Sequence, residues 1–464
     1  MTILKTVLLS SLVAITASAK SGNSGDCTKG EKLDACFQSP GLKWALPIPE
    51  QMTPELMRKG PKFKPEFSPT EKETGIIFCK YFHHEFETDG SAKFLCVRTT
   101  SDGVLLDKHG KEVPEARGIS TKEMKTISEG YLLDANGKPL LRADEDGEQK
   151  PIAGDQLKVK YFIDKNQTND ASVTRQNITL SVGERQVLLP NAFQGPEEIS
   201  VPRWSEVFTE LAASRLFWAL GLPADIMIPM NKVVCFDCLS HPLEQKKPAP
   251  GKISIFQNPV LERKFKGKKL GEQFNFRDLN EKFLSGWSPE TRNEYEALAL
   301  ASQLIGYSHA ISLQNRLVCM DEKKAEICSS PLGMIQDLGS TWTGKEAERG
   351  TLSAYLSGKT FENAQSCTLF YKFGSAFGLK EMGGGDSLKQ VSRGGVEDFK
   401  KRLKNLSPDV VRELLRVSRF GDIQPEVRNS MPGKNLDEKR NAVIEKWAQS
   451  LNSRIQEIQS ANCP

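Results

Sequence analysis

Residues 204–221 read WSEVFTELAASRLFWALG and continue over 222–238 as LPADIMIPMNKVVCFDC. Ser205 is placed to N-cap a helix, and apolar residues then recur at Val207, Phe208, Leu211, Ala212, Leu216 and Ala219 up to a stop at Gly221. This pattern predicts a largely buried helix over 205–220. Glu210 lies inside it. A carboxylate on so apolar a helix needs a cationic partner, because an unpaired buried charge is costly. The nearest upstream source is residues 157–163, LKVKYFI, a strand pattern whose period of two puts Lys158 and Lys160 on one face.

The chain opens with a basic residue, Lys5, an apolar run from Val7 to Ile15 and a small-residue Ala17-Ser18-Ala19 pattern. Residues 1–19 therefore read as a secretory signal peptide, and the protein as exported, periplasmic or extracellular. No later segment reaches the roughly 18 consecutive apolar residues that a membrane helix needs. A formal net charge of +4 is too balanced to argue for nucleic acid. The length suits two or three domains or one two-lobed body.

All ten cysteines follow the leader, and an even count in an exported chain favours disulfides over metal ligands. Proximity suggests Cys27 with Cys36, Cys79 with Cys96 and Cys319 with Cys328, which leaves Cys367 to tie the C-terminus at Cys463. Cys235 and Cys238 have the spacing of a redox motif. No thioredoxin-like strand and helix surround them, which favours a structural disulfide. A zinc site is weaker still, since only His241 lies near.

Residues 20–74 are rich in Lys, Pro, Gly and Glu and carry no sustained period, so they read as an irregular arm wrapping the body. A β-rich region follows over 75–235. It opens with strands Gly75–Phe82 and Ala92–Arg98 joined by a turn near Thr88-Asp89-Gly90. Inserted hairpins occupy 99–150, where DGVLLDKHGKEV (102–113) and EGYLLDANGKPL (129–140) are related and each puts a glycine at a positive-φ position. Residues 236–464 are predominantly helical. Ser288-Pro289 opens one helix that runs to Leu304, Ser407-Pro408 opens another, and Asp437 is placed to cap the last. The basic run ERKFKGKKLGEQ (262–273) reads as a solvated face.

A second informative stretch follows the helix that ends at Leu304. Residues 306–319, GYSHAISLQNRLVC, set His309 and Asn315 before a short apolar strand, and residues 333–344, GMIQDLGSTWTG, set Asp337 after another. An Asn on one loop and Asp-x-Gly on the next supply the oxygen ligands that a hard cation wants. Together with Lys160 and Glu210, these residues follow one another in the order found in kinases.

On these motifs, ELAASRLFWALG with LKVKYF before it and MIQDLGSTW after it, the chain resembles a set of exported bacterial proteins. More distantly it is similar to atypical members of the protein-kinase-like fold: the phosphatidylinositol 4-kinase, secretory-pathway kinase and HipA-type branches. The resemblance spans roughly residues 75–420 and implies an α+β, two-lobed, disulfide-stapled body with a β-rich N-lobe and a helical C-lobe. It implies that Lys160 contacts the phosphates of ATP, with Lys158 as the rival lysine. Glu210 would orient that lysine, and Asn315 and Asp337 would bind Mg2+. One departure stands out, because the loop from His309 to Asn315 holds no carboxylate to act as general base. His309 is the remaining candidate for that role. The alternative is a non-catalytic, pseudokinase-type exported protein that binds a protein or cell-surface partner.

Overall fold

In the computed structural model the described residues are 27, 33–85, 92–123, 128–144, 147–161, 174–195, 206–238, 250–271, 274–307, 315–321, 327–339, 341–342, 352–373 and 388–464. The expected leader and the expected turn at Thr88–Gly90, with Ser205, His241 and His309, lie outside them.

Alternating apolar residues build one nine-stranded sheet. Its strands in chain order are β1 (Ile76–Glu85), β2 (Ala92–Thr99), β3 (Gln156–Tyr161), β4 (Arg175–Val182), β5 (Arg185–Gln194), β6 (Ile226–Pro229), β7 (Lys232–Phe236), β8 (Ile253–Gln257) and β9 (Val260–Arg263). Their spatial order is β6-β9-β3-β2-β1-β7-β8-β5-β4. β1 with β7 and β8 with β5 run parallel, and the other neighbours antiparallel. The sheet thus takes two strands from beyond residue 235. In the central register Lys93 faces Lys160 across β2 and β3, and Lys158 faces Glu262 across β3 and β9.

The organising helix, α1 (Glu206–Ala219), is apolar on nearly every side, and residues 207–217 are all buried. Such a helix belongs inside a protein rather than on its surface. It stops at Gly221, whose φ of +68° suits glycine. Arg215 on α1 donates to the carbonyl oxygens of Met57 and Arg58. That contact holds the short helix Pro54–Lys59 against the core. The arm predicted to be irregular therefore contains three short helices, Leu33–Phe37, Pro54–Lys59 and Pro69–Thr74, and buries Trp44 and Met57 completely.

A three-stranded sheet, β10 (Lys268–Leu270), β11 (Asn315–Cys319) and β12 (Pro331–Ile335), follows. Around it pack α2 (Pro289–Leu304), α3 (Arg393–Leu403), α4 (Pro408–Val417) and α5 (Leu436–Ser460). The Ser288 and Ser407 hydroxyls cap α2 and α4 as read from sequence. The cap of α5 is Asn435 rather than Asp437: its side chain accepts from Glu438 N, and Asp437 sits in the first turn, where a carboxylate favours the helix dipole. The predicted stripe Val443, Ile444, Trp447, Leu451, Ile455 and Ile458 is buried. The result is a mixed α+β fold with one large sheet. None of its described helices is long and apolar enough to cross a membrane.

All five expected disulfides are present, pairing 27–36, 79–96, 235–238, 319–328 and 367–463. Cys235 and Cys238 are both buried, which removes the accessible sulfur that redox exchange requires.

The inserted hairpins reuse one turn more often than the sequence suggested. At Thr100, Asp107, Asp134 and Asp144 a side-chain oxygen accepts the N–H four residues on. The glycine at the fourth position of each turn has φ of +82°, +78°, +74° and +82° respectively. Only the Asp107 and Asp134 copies carry the Leu-Leu-Asp signature that made them visible.

Candidate functional site

Strand β3 presents Lys160 and Lys158 on one face, and α1 lies where Glu210 can reach them. Lys160 Nζ is ion-paired with Glu210 Oε2, and both side chains are 1% exposed. Of the two lysines predicted for this role, α1 holds Lys160. Lys158 instead pairs with Glu262 at 3.4 Å and is more accessible. Glu262 also lies 2.9 Å from Lys160, so the lysine is held between two carboxylates, one from the helix and one from the neighbouring strand.

β11 and β12 pair antiparallel, which places Asn315 and Asp337 at the same end of the strand pair. Asn315, the first residue of β11, is opposite Ile335, the last of β12, and Asp337 follows two residues on. Asn315 is fully buried, and its side-chain nitrogen donates to Phe274 O at 3.1 Å, which fixes the orientation of the amide. Asp337 is only partly buried. Its Oδ1 accepts from Gly339 N at 2.9 Å, closing the Asp-Leu-Gly turn on itself.

The segment that follows β12 is tied directly to the organising helix. Thr209, adjacent to Glu210, donates its hydroxyl to Gly339 O at 3.1 Å, and Trp342 Nε1 donates to Thr209 O at 2.9 Å. The Tyr307 hydroxyl donates to Asp337 O at 3.2 Å. Lys160 and Glu210 are therefore joined to the Asp337-Leu-Gly turn through the Thr209 and Trp342 hydrogen bonds, and Asn315 lies on the strand paired with β12. His309 is not placed.

The charges act on one another. Burial pushes Glu210 up to about 8, and repulsion from Asp337 and Glu262 adds to the rise against the attraction of Lys160. Burial works against ionising Glu262 too, but Lys158, Lys160 and Lys264 outweigh it and hold Glu262 well below the usual carboxylate range. Asp337 is likewise desolvated, yet Lys160, Lys93 and the Gly339 N–H keep it low, so it is a carboxylate at neutral pH. Lys160 is desolvated and still held well above its ordinary value, chiefly by Glu210, Glu262 and Asp337.

Sequence reasoning missed Glu262 and Lys93. Glu262 begins what reads as a solvated basic run, yet Glu262 and Arg263 are buried, and Arg263 pairs with Asp155 at 2.5 Å. Lys93 is 1% exposed and directly opposite Lys160. The available signal was register: each charged residue sits on a strand beside the lysine strand, which places it over the same face.

No family model matches the chain, and no curated protein matches it. Among solved structures, the chain aligns with the proinflammatory kinase CtkA of Helicobacter pylori at 11% identity and a TM-score of 0.29, covering 65% of this chain and 95% of that one. It also aligns with Rio2 kinase from Chaetomium thermophilum, solved as an ADP/Mg2+-phosphoaspartate complex, at 12% identity and a TM-score of 0.18, covering 75% and 73%. Superpositions this loose give no residue of this chain a role.

Proposed function

We propose that the chain is a divergent, exported kinase-like protein with a cleft that binds a nucleotide together with Mg2+. The larger sheet and α1 form its N-lobe, and the helical part forms its C-lobe. The observation that carries this reading is the convergence of the buried Lys160–Glu210 pair with the Asp337-Leu-Gly339 turn, through the Thr209–Gly339 hydrogen bond. Export is supported by five disulfides in a chain with no described membrane-crossing helix.

In this reading Lys160 binds phosphate oxygens, and Glu210 and Glu262 position it. Asp337 stays ionised beside Lys160, and Asn315 has its amide orientation set by Phe274, so the pair offers the oxygen chemistry that a hard cation takes. Magnesium would supply charge neutralisation for the phosphates when bound. Phosphoryl transfer needs a base, and residues 306–315, GYSHAISLQN, contain no Asp or Glu, leaving His309. That absence favours a second reading, a pseudokinase-type protein that binds nucleotide or a protein partner without turnover.

Thermal unfolding of the oxidised protein with and without magnesium-ATP tests the site, with Asp337→Ala as control. Ligand at about a hundred times its dissociation constant stabilises the native state by about 2.7 kcal/mol. A rise in Tm that the substitution abolishes is the expected result. No shift with millimolar ATP, GTP or magnesium contradicts the nucleotide reading and leaves the body as a protein-binding scaffold.

A further inference from the structure

Two lysines, not one, lie buried side by side in this cleft. Lys93 on β2 and Lys160 on β3 are direct partners in an antiparallel register, so their side chains leave the sheet on the same face. Each is 1% exposed. Like charges directly opposite on neighbouring strands repel, and burying both adds a desolvation cost. A fold retains such a pair only where anionic charge compensates it. Glu210, Glu262 and Asp337 supply that charge, and the Lys93 ammonium acts on all three.

The charge count then limits what the cleft can take. Lys158, Lys160, Lys93 and Lys264, which lies 3.7 Å from Glu262, stand against Glu210, Glu262 and Asp337, four cations and three anions when all are ionised. Lys158 is engaged by Glu262, and Lys160 is shared between Glu210 and Glu262. Without Lys93 the cluster would be balanced, and with it the cluster carries a net positive charge that attracts a polyphosphate. Lys93 and Lys160 leave neighbouring strands on one face, so the pair can meet successive phosphates of one chain.

Resting on the nucleotide reading above, we propose that Lys93 is a second phosphate-binding residue, and that the Lys93–Lys160 pair makes the site selective for nucleoside di- and triphosphates over monophosphates. A residue that merely balanced the local carboxylates would affect every ligand alike. A phosphate-binding residue affects each ligand according to its phosphate count.

Calorimetric dissociation constants for AMP, ADP and ATP, each with magnesium, separate these roles in the disulfide-bonded wild type and in K93M, K93Q, K93R and K160M. Near-ultraviolet circular dichroism selects the variants that fold. The expected result is a loss of about tenfold or more in ATP affinity for K93M or K93Q, a much smaller loss for AMP, and near wild-type affinity for K93R. Equal losses for AMP and ATP, or unchanged ATP affinity in K93M and K93Q while K160M loses it, overturn the assignment of Lys93 and leave the nucleotide site standing. Absence of ATP binding by the wild type overturns the nucleotide reading itself, and the role of Lys93 with it.

Discussion

At the scale of single residues, the site is a set of charges that define one another. The Lys160–Glu210 pairing followed from a rule about cost: a carboxylate in an apolar helix needs a cation, and one strand upstream offered two. The choice between Lys158 and Lys160 was not legible, because both lie on the same strand face and only the position of α1 separates them. Glu262 and Lys93 escaped because a charge in a short strand reads as surface until its neighbours across the sheet are known. Glu210 also makes a pH prediction. Its pKa is about 8 in the fold against an ordinary 4.5, so between these values the folded chain holds more protons than the unfolded one, and stability falls as pH rises. Asp225, raised by burial to about 6, acts with the same sign only up to that pH. Asp337 and Glu262 have lowered values and act below the ordinary carboxylate range, while Glu294, raised by burial, acts with the same sign as Glu210. Urea midpoints at about pH 6 and 8 should show a loss on the order of 1 kcal/mol in the wild type that Glu210→Gln reduces. A slope unchanged in the variant would show that Glu210 does not titrate there.

At the scale of elements, strands and helices with strong periodicity and caps were readable: α2 runs from Pro289 to Leu304 as its Ser-Pro start implied. The arm was not, since its order comes from what it packs against. Trp44 is buried among Phe274, Phe276, Trp287 and Tyr295, and it lies against β12 at Gly333. A Cβ on Gly333 would come within 2.2 Å of the Trp44 ring, so this glycine is required for close approach. Gly333→Ala should therefore destabilise the protein by about 1–3 kcal/mol through overpacking. Because Gly333 lies four residues before Asp337 on the same strand and loop, the variant should also weaken magnesium-ATP binding. Denaturant unfolding checks the first effect and calorimetry the second. An unchanged midpoint would mean that the arm is not fixed by this contact.

At the scale of the whole molecule, the order of motifs along the chain carried more information than any one of them. A lysine strand, a glutamate helix, an Asn loop and an Asp-x-Gly turn are each common. Their convergence depends on the β11–β12 pairing and on the Thr209 and Trp342 hydrogen bonds that join the segment after β12 to α1. Those long-range contacts have no local sequence signal. The disulfides were legible because four of the five close short loops; only 367–463, with a separation of 96, was reached by elimination. The measurement that bears most directly on the central claim is a crystal structure of the oxidised protein with magnesium and a non-hydrolysable ATP analogue. The expected density places the phosphates beside Lys160, with the cation on Asp337 and Asn315. Nucleotide bound elsewhere, or no nucleotide at saturating concentration, would contradict it.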